Sequence, residues 1–540
     1  KFPELWSANR YRNTAGELVY KRIKEEQKMT QTAGSDGNKN EFFEWEMHYN
    51  RNISNHNFGA MVKYTQASKV FTQNIGSDLK NGIARRNQGF AGRVNYNWNS
   101  RYYVDFNFGY TGSENFHKDY RFGFFPAISG AWNVGEEPLI KKLGWVDMFK
   151  IRYSYGKTGN DNLGDIRFPY LYTLEQMAAG GYNFGDFDSS NPWTGIRYSS
   201  VASPNVTWEV ATKQDLGIDY SLFHDKFSGS VDYFRERREG IYMGRNFLPG
   251  FVGLENNPSA NVGEVKAHGI DGSITFKQKV SNVDFTLRAN ATYSKNEIIE
   301  RDEENTIYPY KLQEGHRVDQ ARGLMDLGLF KDYDDIRNSP RQSFGEVMPG
   351  DIKYKDINGD GVIDDNDIVA IGATTRPNLT YGFGMSASWK GLDINVHFQG
   401  VGKSTYFING SSVYMFSLGQ NWGNILTDVA NSNRWTLGVN EDPNADYPRL
   451  TYGPNANNYR ASTYWLRDGS YLRLKTLDIG YSLPKTFVNK AHLNNVRFFL
   501  IGTNLFTFSK FKLWDPELGS STGKVYPLSK TLSVGVSVNL

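Results

Sequence analysis

The residues of this 540-residue chain best spaced for chemistry lie in one stretch: Asp356, Ile357, Asn358, Gly359, Asp360, Gly361, Val362, Ile363, Asp364, Asp365, Asn366 and Asp367. Ca²⁺ takes about six to eight hard oxygen ligands, and an EF-hand-type loop supplies them from its first, third, fifth, seventh, ninth and twelfth positions around a sharp turn at the sixth. Here those positions are Asp356, Asn358, Asp360, the backbone carbonyl of Val362, Asp364 and Asp367, with Gly361 at the turn. The twelfth residue is Asp where Glu is usual; its shorter arm favours a weaker Ca²⁺ site or the smaller Mg²⁺. The alternative is an Asx-rich turn that closes on its own amides without an ion. The expected role is structural, fixing a loop over 350–370.

Bond-breaking chemistry finds little support. The eight histidines are scattered, with no HxxxH or HxH spacing, and GxSxG, HExxH and phosphate-loop motifs are absent. There is no cysteine, which excludes a disulfide framework and thiolate metal sites. The chain reads as no enzyme. With 61 basic and 58 acidic residues, the net charge of +3 gives no electrostatic case for nucleic acid. A second candidate set is aromatic. Trp193 and Tyr198 lie in one polar segment, Tyr406, Tyr414 and Trp422 in another, and Trp435 follows Arg434. Aromatic faces stack on sugar rings while neighbouring amides and charges bond hydroxyls, so the set suits a binding mouth. Any one of these residues could equally pack loops together.

What must position these residues is a sheet. In Lys530–Leu540 the side chains of Leu532, Val534, Val536, Val538 and Leu540 fall on one face, and small polar groups on the other. Phe43, Trp45, Met47 and Tyr49 likewise oppose Glu44, Glu46, His48 and Asn50; Leu392, Ile394, Val396 and Phe398 oppose Asp393, Asn395, His397 and Gln399. Similar segments fall near 58–65, 90–98, 102–110, 121–134, 145–158, 207–221, 226–238, 260–278, 283–298, 378–390, 470–482 and 496–506, giving about sixteen strands. Tight turns and long loops alternate between them, and aromatics gather near strand ends. That is the rhythm of a transmembrane antiparallel β-barrel, whose strands need only about 9–11 residues to cross. Alternation alone also suits a soluble, carbohydrate-binding β-protein. A helical turn is expected at Glu136–Leu143, a helix at Asn421–Asn433, and mostly loop over residues 1–40.

Several segments resemble the SusC/RagA branch of TonB-dependent outer-membrane transporters. They are Phe124-Phe125-Pro126-Ala127-Ile128-Ser129-Gly130-Ala131-Trp132 with Glu136-Glu137-Pro138, Phe149 through Asn160, Asn205-Val206-Thr207-Trp208-Glu209 with Leu216 to Tyr220, and Asn261-Val262-Gly263 with Gly269-Ile270-Asp271. The most specific is Asp468-Gly469-Ser470-Tyr471-Leu472-Arg473-Leu474-Lys475 through Pro484, followed by Gly502 to Phe506 and Asp515-Pro516-Glu517. Asp271 stands where the family usually has Glu, and Leu540 where many such strands end in an aromatic residue.

The resemblance implies that residues 1–540 are the C-terminal portion of a roughly 22-stranded barrel, with the N-terminal plug and first strands outside this chain. It also implies outer-membrane localisation and import of an oligosaccharide, with peptide as the alternative. The implied partners are outer-membrane lipid, a SusD-like lipoprotein over the mouth, and TonB acting through the N-terminal part.

Overall fold

The computed structural model describes residues 8–22, 37–71, 83–164, 166–176, 182–183, 192–193, 195–246, 257–414, 416–417 and 426–539. Its main element is one antiparallel sheet of 15 strands. They are β1 (Asn38–Ile53), β2 (His56–Phe71), β3 (Arg85–Trp98), β4 (Tyr102–Ser113), β5 (Phe122–Asn133), β6 (Val146–Asn160), β7 (Glu209–Leu222), β8 (Phe227–Gly244), β9 (Ser259–Val280), β10 (Val283–Glu300), β11 (Leu379–Trp389), β12 (Leu392–Gly402), β13 (Tyr471–Ser482), β14 (Asn495–Ser509) and β15 (Thr531–Asn539). Each strand pairs with its sequence neighbours, so the sheet is an up-and-down meander. About sixteen strands are expected from the sequence, and among the described residues this sheet has fifteen. The first forty residues contribute a separate hairpin, Ala8–Arg12 against Leu18–Arg22.

Connections at one end of the sheet are short because their residues accept left-handed backbone. Lys390 and Gly391, both at positive φ, join β11 to β12. A side chain at Gly391 would bring its Cβ within 2.5 Å of the Ser482 carbonyl oxygen, so this corner needs glycine on two counts. Ser54, Asn99, Ser100 and Ser281 turn three other corners at positive φ. The helical turn expected at Glu136–Leu143 is a 3₁₀ turn at Val134–Glu136 followed by a helix at Pro138–Lys141. At the other end the connections run long, notably 301–378 and 403–470. The helix expected at Asn421–Asn433 is only Thr427–Ala430 among the described residues.

The two faces of the sheet differ as alternation requires. Trp45 is 48% exposed and Val534 83% exposed, and Phe43, Val104, Ile128, Leu216 and Met385 share their bare apolar face. Among the described residues no second layer buries it, which removes the soluble-sandwich reading: uncovered apolar area on this scale needs lipid. Near the short turns this face carries a row of stacked rings. Trp98 lies 5.7 Å from Tyr102, which lies 6.4 Å from Trp132, and both the Tyr102 hydroxyl and the Trp132 indole N–H donate to Glu137. An aromatic body in lipid with a polar tip in water is what an interfacial girdle requires. The opposite face is polar and ion-paired. Arg152 reaches Asp215, Asp219 and Asp232 at 3.1, 3.2 and 2.5 Å; Arg497 reaches Asp393 and Asp478 at 2.5 and 2.9 Å. No helix among the described residues is long and apolar enough to cross a membrane; the crossing is made by strands.

Candidate functional site: a folded cap at the long-loop end

Three long connections, 301–378, 403–470 and 510–530, pack into a cap with its own apolar core. Leu324, Leu329, Ile352, Ile363, Val413 and Trp465 are among its buried members. Short pairings brace it: Asp326–Leu329 with Ile352–Tyr354, Gln320–Gly323 with Val369–Thr374, and Thr405–Phe407 with Leu466–Asp468. Loops of this length stay folded only by burying side chains of their own.

This core contains residues expected at a sugar-binding mouth. Tyr406 and Trp435 are each 4% exposed. Tyr414 stacks on Tyr459 at 4.3 Å and meets Trp465 edge-on at 4.9 Å. Burial pushes the phenols of Tyr406, Tyr414 and Tyr354 above the ordinary tyrosine range. A ring face covered by protein has no room for a sugar, so Tyr406, Tyr414 and Trp435 serve the cap's packing in this structure. Tyr198 is different: it is exposed, on the strand Ile196–Ser200, and its ring lies 5.6 Å from Tyr172. Trp422 and the side chain of Trp193 lie outside the described residues.

A buried polar knot joins the two largest loops. Asp351, fully buried, meets Arg449 at 2.7 Å and accepts from Asn455 Nδ2, Asn458 Nδ2 and the Met348 N–H at 3.1, 2.8 and 2.8 Å. Beside it Gln342 Nε2 donates to Asn457 Oδ1 at 2.6 Å, and the Tyr354 hydroxyl to the Asn457 carbonyl at 2.7 Å. Sequence reasoning passed over these residues. The only sign was Asn455-Ala456-Asn457-Asn458, three amides in four positions, which reads as an ordinary loop.

A second knot brings together two motifs that lie far apart in the sequence. Arg473 on β13 is 1% exposed. Its guanidinium meets Asp515 at 2.5 Å and Glu517 at 2.8 Å, while its Nε donates to Thr507 on β14 at 3.0 Å. The Asp515 carboxylate also accepts from the Glu517 N–H at 3.0 Å, starting a 3₁₀ turn. One arginine thus ties loop 510–530 to the rim of the wall.

The Asp-rich loop sits at the edge of the cap. Asp356 accepts from the N–H groups of Gly359 and Gly361 at 2.7 and 2.9 Å. Asp360 Oδ1 accepts from Val362 N–H at 2.8 Å, and Asp364 Oδ1 from Asn366 N–H at 2.7 Å. Asp367 is buried and accepts from Ile357 and Asp364 N–H at 2.7 and 2.9 Å. Gly361 takes the left-handed conformation the sharp turn demands. Asn358 bonds within the loop, donating from its amide to Asp360 Oδ2 at 2.9 Å. Among the described residues no three acidic or histidine side chains gather at one point as they would around an ion. Burial, and then the Asp367 charge, raise the neighbouring Tyr310 phenol above its ordinary value.

With this geometry in view, the similarities to known proteins are informative. The model of the TonB dependent receptor-like β-barrel family matches residues 4–505. TonB-dependent receptor P3 of Formosa agariphila is 30% identical over 441 residues, covering 79% of this chain and 41% of the relative. TonB-dependent receptor SusC of Bacteroides thetaiotaomicron is 26% identical over 462 residues, covering 83% and 43%. The solved RagAB peptide transporter superposes with a TM-score of 0.71 at 19% identity, over 94% of this chain and 56% of that one. The chain therefore spans less than half the length of these curated relatives. Bare apolar face, girdle, polar inner face and family match agree, and with its similarity to SusC and to the RagAB fold the conclusion is that the chain belongs to the TonB-dependent receptor-like β-barrel family of the outer membrane.

Proposed function

We propose that this chain forms wall and extracellular cap of a TonB-dependent importer, completed by strands and a plug outside these residues. The observation that carries the reading is the polar, ion-paired inner face capped at one end only by a folded, protein-like loop structure. A passive pore has no need of so heavily braced a cap. In this reading a SusD-like lipoprotein docks on the cap, substrate enters between them, and TonB acts through the part not included here. No bond is broken in the substrate.

An oligosaccharide is the substrate expected from the family. Two observations favour the peptide reading: Tyr406 and Trp435 have no free ring face for a sugar, and the solved relative RagAB is named a peptide transporter. Deleting the whole gene and measuring uptake of labelled oligosaccharides and peptides, with and without functional TonB, tests both readings. TonB-dependent loss of one class supports import of that class. Unchanged uptake of both ends the importer reading.

We also propose that the loop Asp356–Asp367 takes Ca²⁺, or Mg²⁺, as a structural ion. Its support is the ligand spacing, left-handed Gly361, and the Gly361 N–H bonded to Asp356. An ion would draw Asp360 and Asp364 off their own amides toward Asp356. Stripping divalent ions with a chelator is expected to lower the melting temperature of the cap or increase protease cleavage within 350–370, and re-adding Ca²⁺ to restore it. No change in either, with no metal by elemental analysis, would leave a plain Asx turn.

A further inference from the structure

The bare face of the wall changes character at one level. Across β6 to β10 the paired residues Tyr153, Leu216, Tyr233, Ile270 and Tyr293 form a continuous apolar and aromatic row. Below it the face stays apolar for about the length of a crossing, from Ile270 to Val280 on β9, where Gln278 near the short turn is the exception, and from Tyr293 to Val283 on β10. The next row toward the long loops reads Tyr155, Gln214, Arg235, His268 and Lys295. Arg235 lies directly opposite His268, and His268 directly opposite Lys295.

Such an alignment is unfavourable by itself, because Arg235 and Lys295 carry like charges at one level on either side of the strand that bears His268. Carboxylates are at hand one row higher, where Arg237 meets Glu264 and Lys266 meets Glu297, each at 2.9 Å. None reaches the lower row: among the described residues neither Arg235 nor Lys295 has an ion pair. Two further cations flank it. Lys157 is exposed on β6, and Lys403 lies over the Tyr293 ring at 4.9 Å. Directly below the row is a shallow apolar groove of about 560 Å³, lined by Val231, Ile270, Ala291, Tyr293, Leu379 and Phe383 among others.

Unneutralised cations above an apolar groove, on a face that meets lipid, complement a molecule with phosphate at one end and hydrocarbon at the other. We propose that Arg235, His268 and Lys295, flanked by Lys157 and Lys403, hold the phosphates of a phosphorylated outer-leaflet lipid whose acyl chains lie in this groove. Arginine and lysine give charge-assisted hydrogen bonds to phosphate oxygens, and His268 adds an imidazole N–H. Bound phosphate removes the repulsion along the row and fixes the height of the wall in the membrane. The site lies outside the barrel and makes no demand on the transported substrate.

The test uses the complete polypeptide in mild detergent, with native mass spectrometry after adding diphosphorylated lipid A, its dephosphorylated form, or inorganic phosphate. The expected result is retention of the diphosphorylated lipid alone. Retention should fall about tenfold or more in Arg235→Gln/His268→Gln/Lys295→Gln, whose heat-modifiable gel mobility reports whether the barrel has assembled. Arg237→Gln/Lys266→Gln, which removes cations already paired, should keep retention within about twofold. If the triple variant does not assemble, Arg235→Gln and Lys295→Gln singly carry the test, each expected to lose about threefold. Equal retention by these variants, equal retention of dephosphorylated lipid, or full displacement by inorganic phosphate overturns the proposal.

Discussion

Replacing Asp515 and Glu517 together, as Asp515→Asn/Glu517→Gln, is expected to unfasten loop 510–530 from the rim at a cost of about 3–5 kcal/mol to the local fold. The asymmetry of burial sets this size. Arg473 is 1% exposed, whereas the side chains of Asp515 and Glu517 are 20% and 27% exposed. Neutralising the carboxylates strands a guanidinium where water cannot reach it. Removing the arginine leaves two carboxylates that water can partly solvate. Arg473→Met, which takes away the charge and keeps the bulk, should therefore cost much less, about 1–2 kcal/mol. The Asn at 515 keeps an oxygen to accept from the Glu517 N–H, so the turn itself is spared. Limited proteolysis of the loop, with barrel assembly followed in parallel by gel mobility, separates the two variants. The same cleavage rate in both would show that burial of Arg473 does not govern the loop.

Asp351→Ala is the second large effect, again about 3–5 kcal/mol, felt across the cap and not the wall. The substitution leaves Arg449, whose side chain is 20% exposed, without its partner, and the buried amide donors of Asn455 and Asn458 without an acceptor. It also opens a small cavity. Trp465, whose indole N–H donates to the Asn458 carbonyl at 2.6 Å, lies at the centre of the cap and serves as a local probe. The variant should show increased quenching of tryptophan emission and fast cleavage in both 340–354 and 447–465, while the barrel band on gels stays unchanged. Cleavage in only one of the two segments would mean that Asp351 does not join them. Asp351→Asn keeps one acceptor oxygen and loses the charge opposite Arg449, so an intermediate effect is expected.

The fate of the aromatic residues shows how far a sequence can be read. Phe43, Trp45, Leu532 and Val534 announced their face because each strand is its own record: alternate side chains must point to opposite sides whatever the neighbours do. The short turns were equally local, since Lys390-Gly391 and Asn99-Ser100 carry their backbone requirement in their own residue types. Tyr406, Tyr414 and Trp435 had no such record. Their loops have no period, and the same ring suits a sugar face or a protein core. Only the meeting of segments some thirty to a hundred residues apart put them inside.

The chain by itself therefore determined an antiparallel membrane wall, its apolar and polar faces, the alternation of short and long connections, and the family it resembles, because these follow from repeats within a few residues. The tertiary structure alone decided that the long loops condense into a cap with its own core. It also decided that Arg473 is the partner of Asp515 and Glu517, that Asp351 gathers Arg449, Asn455 and Asn458, and that Arg235, His268 and Lys295 stand in one row. Each of these depends on register or on contacts between distant segments, and a free energy shared between residues far apart in sequence leaves no pattern in either segment taken alone.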